Sequence, residues 1–270
     1  DAINPEDECV EVTRLGGVTT VMTASGSQSV INGKSVALNL EGNLAEEMVI
    51  KRYVAQIFNI GARENGKYPS TLPGVLALLR TKFNEAIEYG EKAERAANFK
   101  QGKEDESSEG KTMPFKRNLE LESLLPVLAG KVPAVFITQD ETTIRNAINL
   151  IKEYKLKGII LARTGILKYA ELLAEEKIPV IWAGTTAIPS RWEPFDLNFN
   201  TAAVLAEKGV LFAFDPGGWG LGNRNVRNLP LPAGISAAYG LSEEEAIRAM
   251  TIYPARILGL DDQVGSLEKG

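Results

Sequence analysis

From Pro133 onward, short apolar runs rich in branched residues alternate with longer segments of helical period. This constrains the fold more than any other feature of the chain, because it is the pattern of βα units around a parallel sheet. Strands are predicted over 134–138, 158–162, 179–183 and 210–215, each apolar enough to be buried on both faces. The helix after the first strand places Ile144, Ala147, Ile148 and Ile151 on one face, with Asp140 before it as an N-cap. Further helices are predicted over 168–177 and 200–208, and another begins at Ser242, where Ser242 and Glu245 have the spacing of a capping box.

The first half is less regular. A short helix is predicted over 6–15 and a strand over 18–23, followed by extended stretches near 35–40 and 48–60 that fit either barrel strands or a hairpin. A long helix is expected over 71–98, with Pro73 near its start, and another over 119–128. Between them, 100–111 is almost entirely Lys, Glu, Asp, Ser, Gln and Gly, too polar to bury a core of its own, so a mobile insertion is expected at about 99–112. With no repeat and no shift in composition, 1–270 reads as one domain. Six or seven strands fit an α/β fold of two kinds, an eight-stranded barrel lacking its first strand or an open doubly wound sheet, and the pattern alone does not choose.

Charge narrows the partners. The 30 basic and 35 acidic residues are mixed along the chain, for a net charge of −5, and leave no basic stripe for nucleic acid or an anionic membrane. Small molecules and proteins remain, the latter as a homo-oligomer or as a pairing with an active relative. No apolar run approaches the ~20 residues of a membrane span. Cys9 is the sole cysteine, which excludes an internal disulfide, and a buried thiol is expected. Residues 1–8 are acidic and polar, unlike a signal peptide, and a chain that opens in a helix and ends after a turn reads as part of a longer protein.

The chain has no histidine, which rules out a Ser-His-Asp triad and every imidazole ligand for a metal. The candidate site residues lie on the loops after the strands, where barrel proteins carry their sites. They are Gln139 and Asp140, Arg163 and Thr164, Thr185 and Thr186, and Asp215. Asp215 ends an apolar strand with a carboxylate, fit for a general base or a substrate anchor, and Arg163 could pair with it or clamp an anionic group. The plainer alternatives are that Asp215 caps the turn over 216–218 and that Asp140 is only a helix cap. Gly217 and Gly218, in a glycine-rich stretch over 216–225, would bring backbone amides close to a ligand or simply lend flexibility. Arg191 and Trp192 would form a pocket rim or surface packing, and Ser25 and Ser27 have only Lys34 to pair with. Gly33-Lys34-Ser35 ends like a phosphate loop but lacks its earlier glycine.

A series of segments runs in order along nearly the whole chain: Asp1-Ala-Ile-Asn-Pro5, Gly17-Val-Thr-Thr-Val21, Gly26 with Ile31-Asn-Gly-Lys-Ser35, Pro69-Ser-Thr71, Leu78-Leu-Arg80 and Tyr89. It closes on Ser242-Glu-Glu-Glu-Ala246, Thr251-Ile-Tyr-Pro-Ala255, Ile257-Leu-Gly259 and Val264-Gly-Ser-Leu-Glu268, the most specific part. The series resembles the amidohydrolase superfamily, in particular the imidazolonepropionase- and prolidase-like members. The resemblance implies a (β/α)8 barrel in which metals, held by a His-x-His pair, later histidines and an eighth-strand aspartate, activate water for attack on a C–N bond. Carried over, the fifth-strand histidine falls in Ile137-Thr138-Gln139, the sixth-strand histidine at about Ala162, and the aspartate at about Gly217, two positions after Asp215. The first strand and the family's β-sandwich domain lie outside the chain. The resemblance is to an exported branch with a degenerate metal site. It implies no metal cofactor and a non-catalytic or metal-free ligand-binding barrel. The alternative is a hydrolase of carbon–nitrogen bonds completed by missing segments or a partner subunit.

Overall fold

The structure, a computed structural model, describes residues 3–24, 26–63, 67–101, 115–186, 199–216 and 225–269. Seven strands, β1 (Thr20–Thr23), β2 (Ile31–Asn39), β3 (Val49–Asn59), β4 (Ala134–Ile137), β5 (Gly158–Ala162), β6 (Val180–Trp182) and β7 (Phe212–Phe214), form one sheet in chain order. β1, β2 and β3 pair antiparallel, and β3 to β7 run parallel. The two early extended stretches are thus antiparallel neighbours, and β3 alone carries the pairing into the parallel series. An order without reversal has no topological switch point, which excludes the doubly wound alternative. The sheet is a curled half-barrel with helices packed on it.

The helices are α1 (Glu8–Leu15), α2 (Ala45–Met48), α3 (Leu72–Gln101), α4 (Leu119–Leu128), α5 (Glu141–Tyr154), α6 (Ala170–Glu175), α7 (Thr201–Glu207), α8 (Pro230–Ala238), α9 (Glu243–Met250) and α10 (Ile252–Leu258). Pro73 sits in the first turn of α3, where a missing N–H costs no helical bond. The predicted helix over 168–177 divides into a 3-10 turn, Ile166–Tyr169, and α6. The predicted strand over 210–215 shortens to β7 because the Val210 N–H closes the end of α7 on the Leu205 carbonyl, at 2.9 Å, before the ladder begins. Only half of the expected capping box forms at α9. Ser242 Oγ accepts from the Glu245 N–H at 3.2 Å, while the Glu245 carboxylate is held by Tyr253 Oη at 2.9 and 3.0 Å and by Arg248. Cys9 is half-buried, short of the expected burial, in α1, whose one buried residue is Thr13. Most of the predicted polar insertion lies outside the described residues.

Side chains of the parallel strands alternate between two cores, as the period-2 pleat requires. Phe58, Phe136, Ile160, Ala162, Trp182, Phe212 and Phe214 face the helix layer and pack with Leu79 and Phe83 of α3, Leu124 of α4 and Ile144 of α5. The intervening Ala55, Ile57, Val135, Ile159, Ile181 and Ala213 form a smaller cluster on the concave face, to which α10 adds Ile257.

Candidate functional site

The strand register assembles the site. Asn59 is opposite Ile137, Ile137 opposite Leu161, Leu161 opposite Ile181 and Ile181 opposite Ala213. Backbone bonds extend this register past the strand ends: Ile60 N to Ile137 O at 3.2 Å, Thr138 N to Leu161 O at 2.9 Å, Ala183 N to Ala162 O at 2.9 Å and Asp215 N to Trp182 O at 3.0 Å. Two residues beyond the concave-face row, Gly61, Gln139, Arg163, Ala183 and Asp215 therefore share the C-terminal rim. Three of the predicted residues, Gln139, Arg163 and Asp215, from three separate loops, lie along that rim.

Two glycines make the rim possible. A Cβ on Gly61 would lie 2.5 Å from the Gln139 amide carbon, so the Gln139 side chain lies over the end of β3 only because residue 61 has none. A Cβ on Gly184 would lie 2.2 Å from the Arg163 carbonyl oxygen and 2.2 Å from the Trp182 ring, so the β6 loop packs on the β5 loop at glycine contact distance. Thr185, just after it, is 4% exposed and its hydroxyl has no partner among the described residues. A buried, unpaired hydroxyl costs about 1–3 kcal/mol. Thr164 Oγ1 donates to the Gln139 carbonyl at 2.9 Å and ties the β4 and β5 loops together, while Thr186 is exposed.

Asn59 is a buried polar residue beside this rim that the sequence reading missed. It is 3% exposed at the end of β3, with Nδ2 donating to the Ser27 carbonyl at 2.7 Å and Oδ1 accepting from the Gly61 N–H at 2.8 Å. It thereby fastens the β1–β2 loop beside the rim and orients Gly61. The available signal was a polar residue ending an apolar strand, the same signal that marked Asp215.

The sequence model of the amidohydrolase family matches residues 223–270, which include the closing segments singled out above. The fold matches the crystal structure of an amidohydrolase from Thermotoga maritima MSB8, with a TM-score of 0.86 and 28% identity over 99% of this chain and 68% of that one. This chain is similar to the amidohydrolase family in its closing segments and in its fold. A prolidase complexed with N-methylphosphonate-L-proline aligns over 61% of this chain and 44% of its own, but its 16% identity and TM-score of 0.41 carry no weight. No protein of curated function matches the sequence.

Two of the expected positions have a definite place in the half-barrel. Ala162 is fully buried on the helix side, and in that strand Leu161 and Arg163 are the residues in line with the concave face. The pleat sends neighbours to opposite faces, so Ala162 and Arg163 lie on different sides of the sheet. Asp140 is a cap: its Oδ1 accepts from the Thr143 N–H at 2.8 Å and from Thr143 Oγ1 at 3.0 Å, and Thr143 Oγ1 also accepts from the Asp140 N–H at 3.0 Å. These bonds hold the first turn of α5. Asp140→Ala is expected to lower stability by about 1 kcal/mol, read as a shift in urea midpoint, and to leave ligand affinity unchanged. Among the described residues, no three His, Cys, Asp or Glu side chains are grouped to hold a metal ion. Gly217, Gly218, Arg191, Trp192 and Ser25 lie outside the described residues.

Proposed function

We propose that this chain is a metal-free barrel that binds a small polar ligand at the rim of β4, β5 and β7. The observation that carries the reading is the chemistry of the rim: an amide (Gln139), a guanidinium (Arg163) and one carboxylate (Asp215) in a chain without histidine. This set does not fit a divalent metal, which needs several imidazole or carboxylate donors and would be repelled by a neighbouring guanidinium. It suits a ligand with both an anionic group and an N–H donor, the first for Arg163 and the second for Asp215. Thr185 supplies a buried hydroxyl whose unmet bond a ligand atom would relieve.

Hydrolysis of carbon–nitrogen bonds is the second reading, favoured by the activity named for the Thermotoga relative and by Asp215 as a base. N-acyl amino acids and cyclic amides, as probes, separate the two. On the ligand-binding reading, calorimetry records saturable binding without turnover, Asp215→Asn weakens it by roughly 10- to 100-fold, and elemental analysis finds no stoichiometric metal. Stoichiometric zinc, manganese or iron, or turnover abolished by Asp215→Asn, would overturn that reading in favour of hydrolysis.

A further inference from the structure

A cavity of about 590 Å³ opens at the opposite end of the parallel strands, bounded by Pro133, Gly158, Pro179 and Leu211 where β4 to β7 begin. The length of the strands separates it from the rim. Its floor is apolar, formed by Ile151, Ile159, Leu211 and Ile257, and its volume falls within the range of small-molecule sites. The border is basic: Lys152, Lys155, Lys157, Lys177 and Arg256 stand around it with one acid, Glu176. That acid is paired with Lys152. Lys155, Lys157, Lys177 and Arg256 make no ion pair or side-chain hydrogen bond among the described residues.

Basic residues near helix C-termini have an ordinary role, since each helix end carries roughly half a negative charge. Three such ends, those of α5, α6 and α10, meet here. Five cations exceed what those ends and one carboxylate can neutralise, in a chain whose net charge is −5. A second observation concerns the backbone. Lys155, at φ 52°, and Lys177, at φ 54°, are the non-glycine residues with positive φ among the described residues, and both border this cavity. Glycine is the usual occupant of such a position just after a helix. Two lysines stand where a side chain is disfavoured, and both border the same cavity.

We propose that this cavity is a second binding site, for a small amphiphilic phosphate monoester. The apolar portion lies on the floor, and the phosphate sits among Lys155, Lys157, Lys177 and Arg256. Phosphate is favoured over carboxylate because several separate ammonium groups around one point match a compact dianion, whereas a lone carboxylate is best met by a single bidentate guanidinium.

Calorimetry on the protein tests this with phenyl phosphate, inorganic phosphate and benzoate as probes. Phenyl phosphate is expected to bind saturably, about tenfold or more tighter than either other probe, and to weaken as salt rises above ~0.15 M. Lys155→Gly with Lys177→Gly suits the left-handed backbone, so the double variant should keep or raise its melting temperature while losing about tenfold in affinity. Lys157→Gln with Arg256→Gln, which alters no unusual backbone, should lose a similar amount. Lys92→Gln with Arg95→Gln on α3 should lose none. The proposal is overturned if phenyl phosphate shows no saturable binding up to about 10 mM. It is equally overturned if inorganic phosphate or benzoate binds as tightly, or if both cavity variants bind like the parent. None of these outcomes depends on the rim residues, so the reading of the other site stands or falls separately.

Discussion

Phe58→Ala is expected to lower stability by about 4 kcal/mol, seen as a large drop in urea midpoint at a slope close to the parent's. Phe58 is 0% exposed, and its ring stacks on Phe136 with centroids 5.2 Å apart and meets Phe83 edge-on at 5.4 Å. One side chain thus joins β3, β4 and α3. Alanine leaves a cavity bounded by two aromatic rings on separate elements, neither of which can close it without pulling its own strand or helix along. Each aromatic pair adds about 0.5–1.5 kcal/mol beyond burial, which places the cost in the upper part of the range for such truncations. Because Asn59 follows directly and holds both Ser27 and Gly61, the variant should also bind rim ligands more weakly while still folded. A loss under about 1.5 kcal/mol would mean that the helix layer closes over the gap, and the packing described for this junction would be wrong.

Gly184→Ala is expected to cost about 3 kcal/mol and to weaken rim binding by more than the lost stability explains. The new methyl would stand 2.2 Å from the Arg163 carbonyl oxygen, and that atom is backbone, so relief requires the β5 and β6 loops to separate. Gly184 is not among the positive-φ glycines, so the cost arises from space rather than conformation. The same movement displaces Arg163 and Thr185 together. Stability by denaturation and affinity by calorimetry, measured on one preparation, should therefore fall together. A variant as stable as the parent would show that the two loops pack less closely than this structure places them.

Much of the fold was legible where the signal was local. The strand at 158–162 and the helix at 119–128 have the predicted bounds, since each is a contiguous apolar or amphipathic run with a clear start. The Asp140 cap was legible because capping involves residues three apart. The direction of β2 and β3 was not, because the pairing of Ile31 with Phe58 joins residues that share no local pattern. Asn59 offered a local signal as a polar strand end, but its role was not legible, because Ser27 becomes its partner only once the β1–β2 loop has come to the end of β3. The basic cavity was invisible too, since its lysines come from two separate αβ connections and its arginine from α10, in a sequence of mixed charge.

Residue identity and local period settled the exclusions and the α/β class. Without histidine no imidazole ligand is available, and alternating apolar runs and helical segments require a parallel sheet with its candidate residues on the loops. Packing in three dimensions decided which of those residues meet. A strand's side chains alternate whatever its neighbours are, but only hydrogen bonding between segments far apart in the chain fixes register. Register is what places Gln139, Arg163 and Asp215 in one row, turns Ala162 to the helix side, and brings four lysines and an arginine to the other end of the same strands.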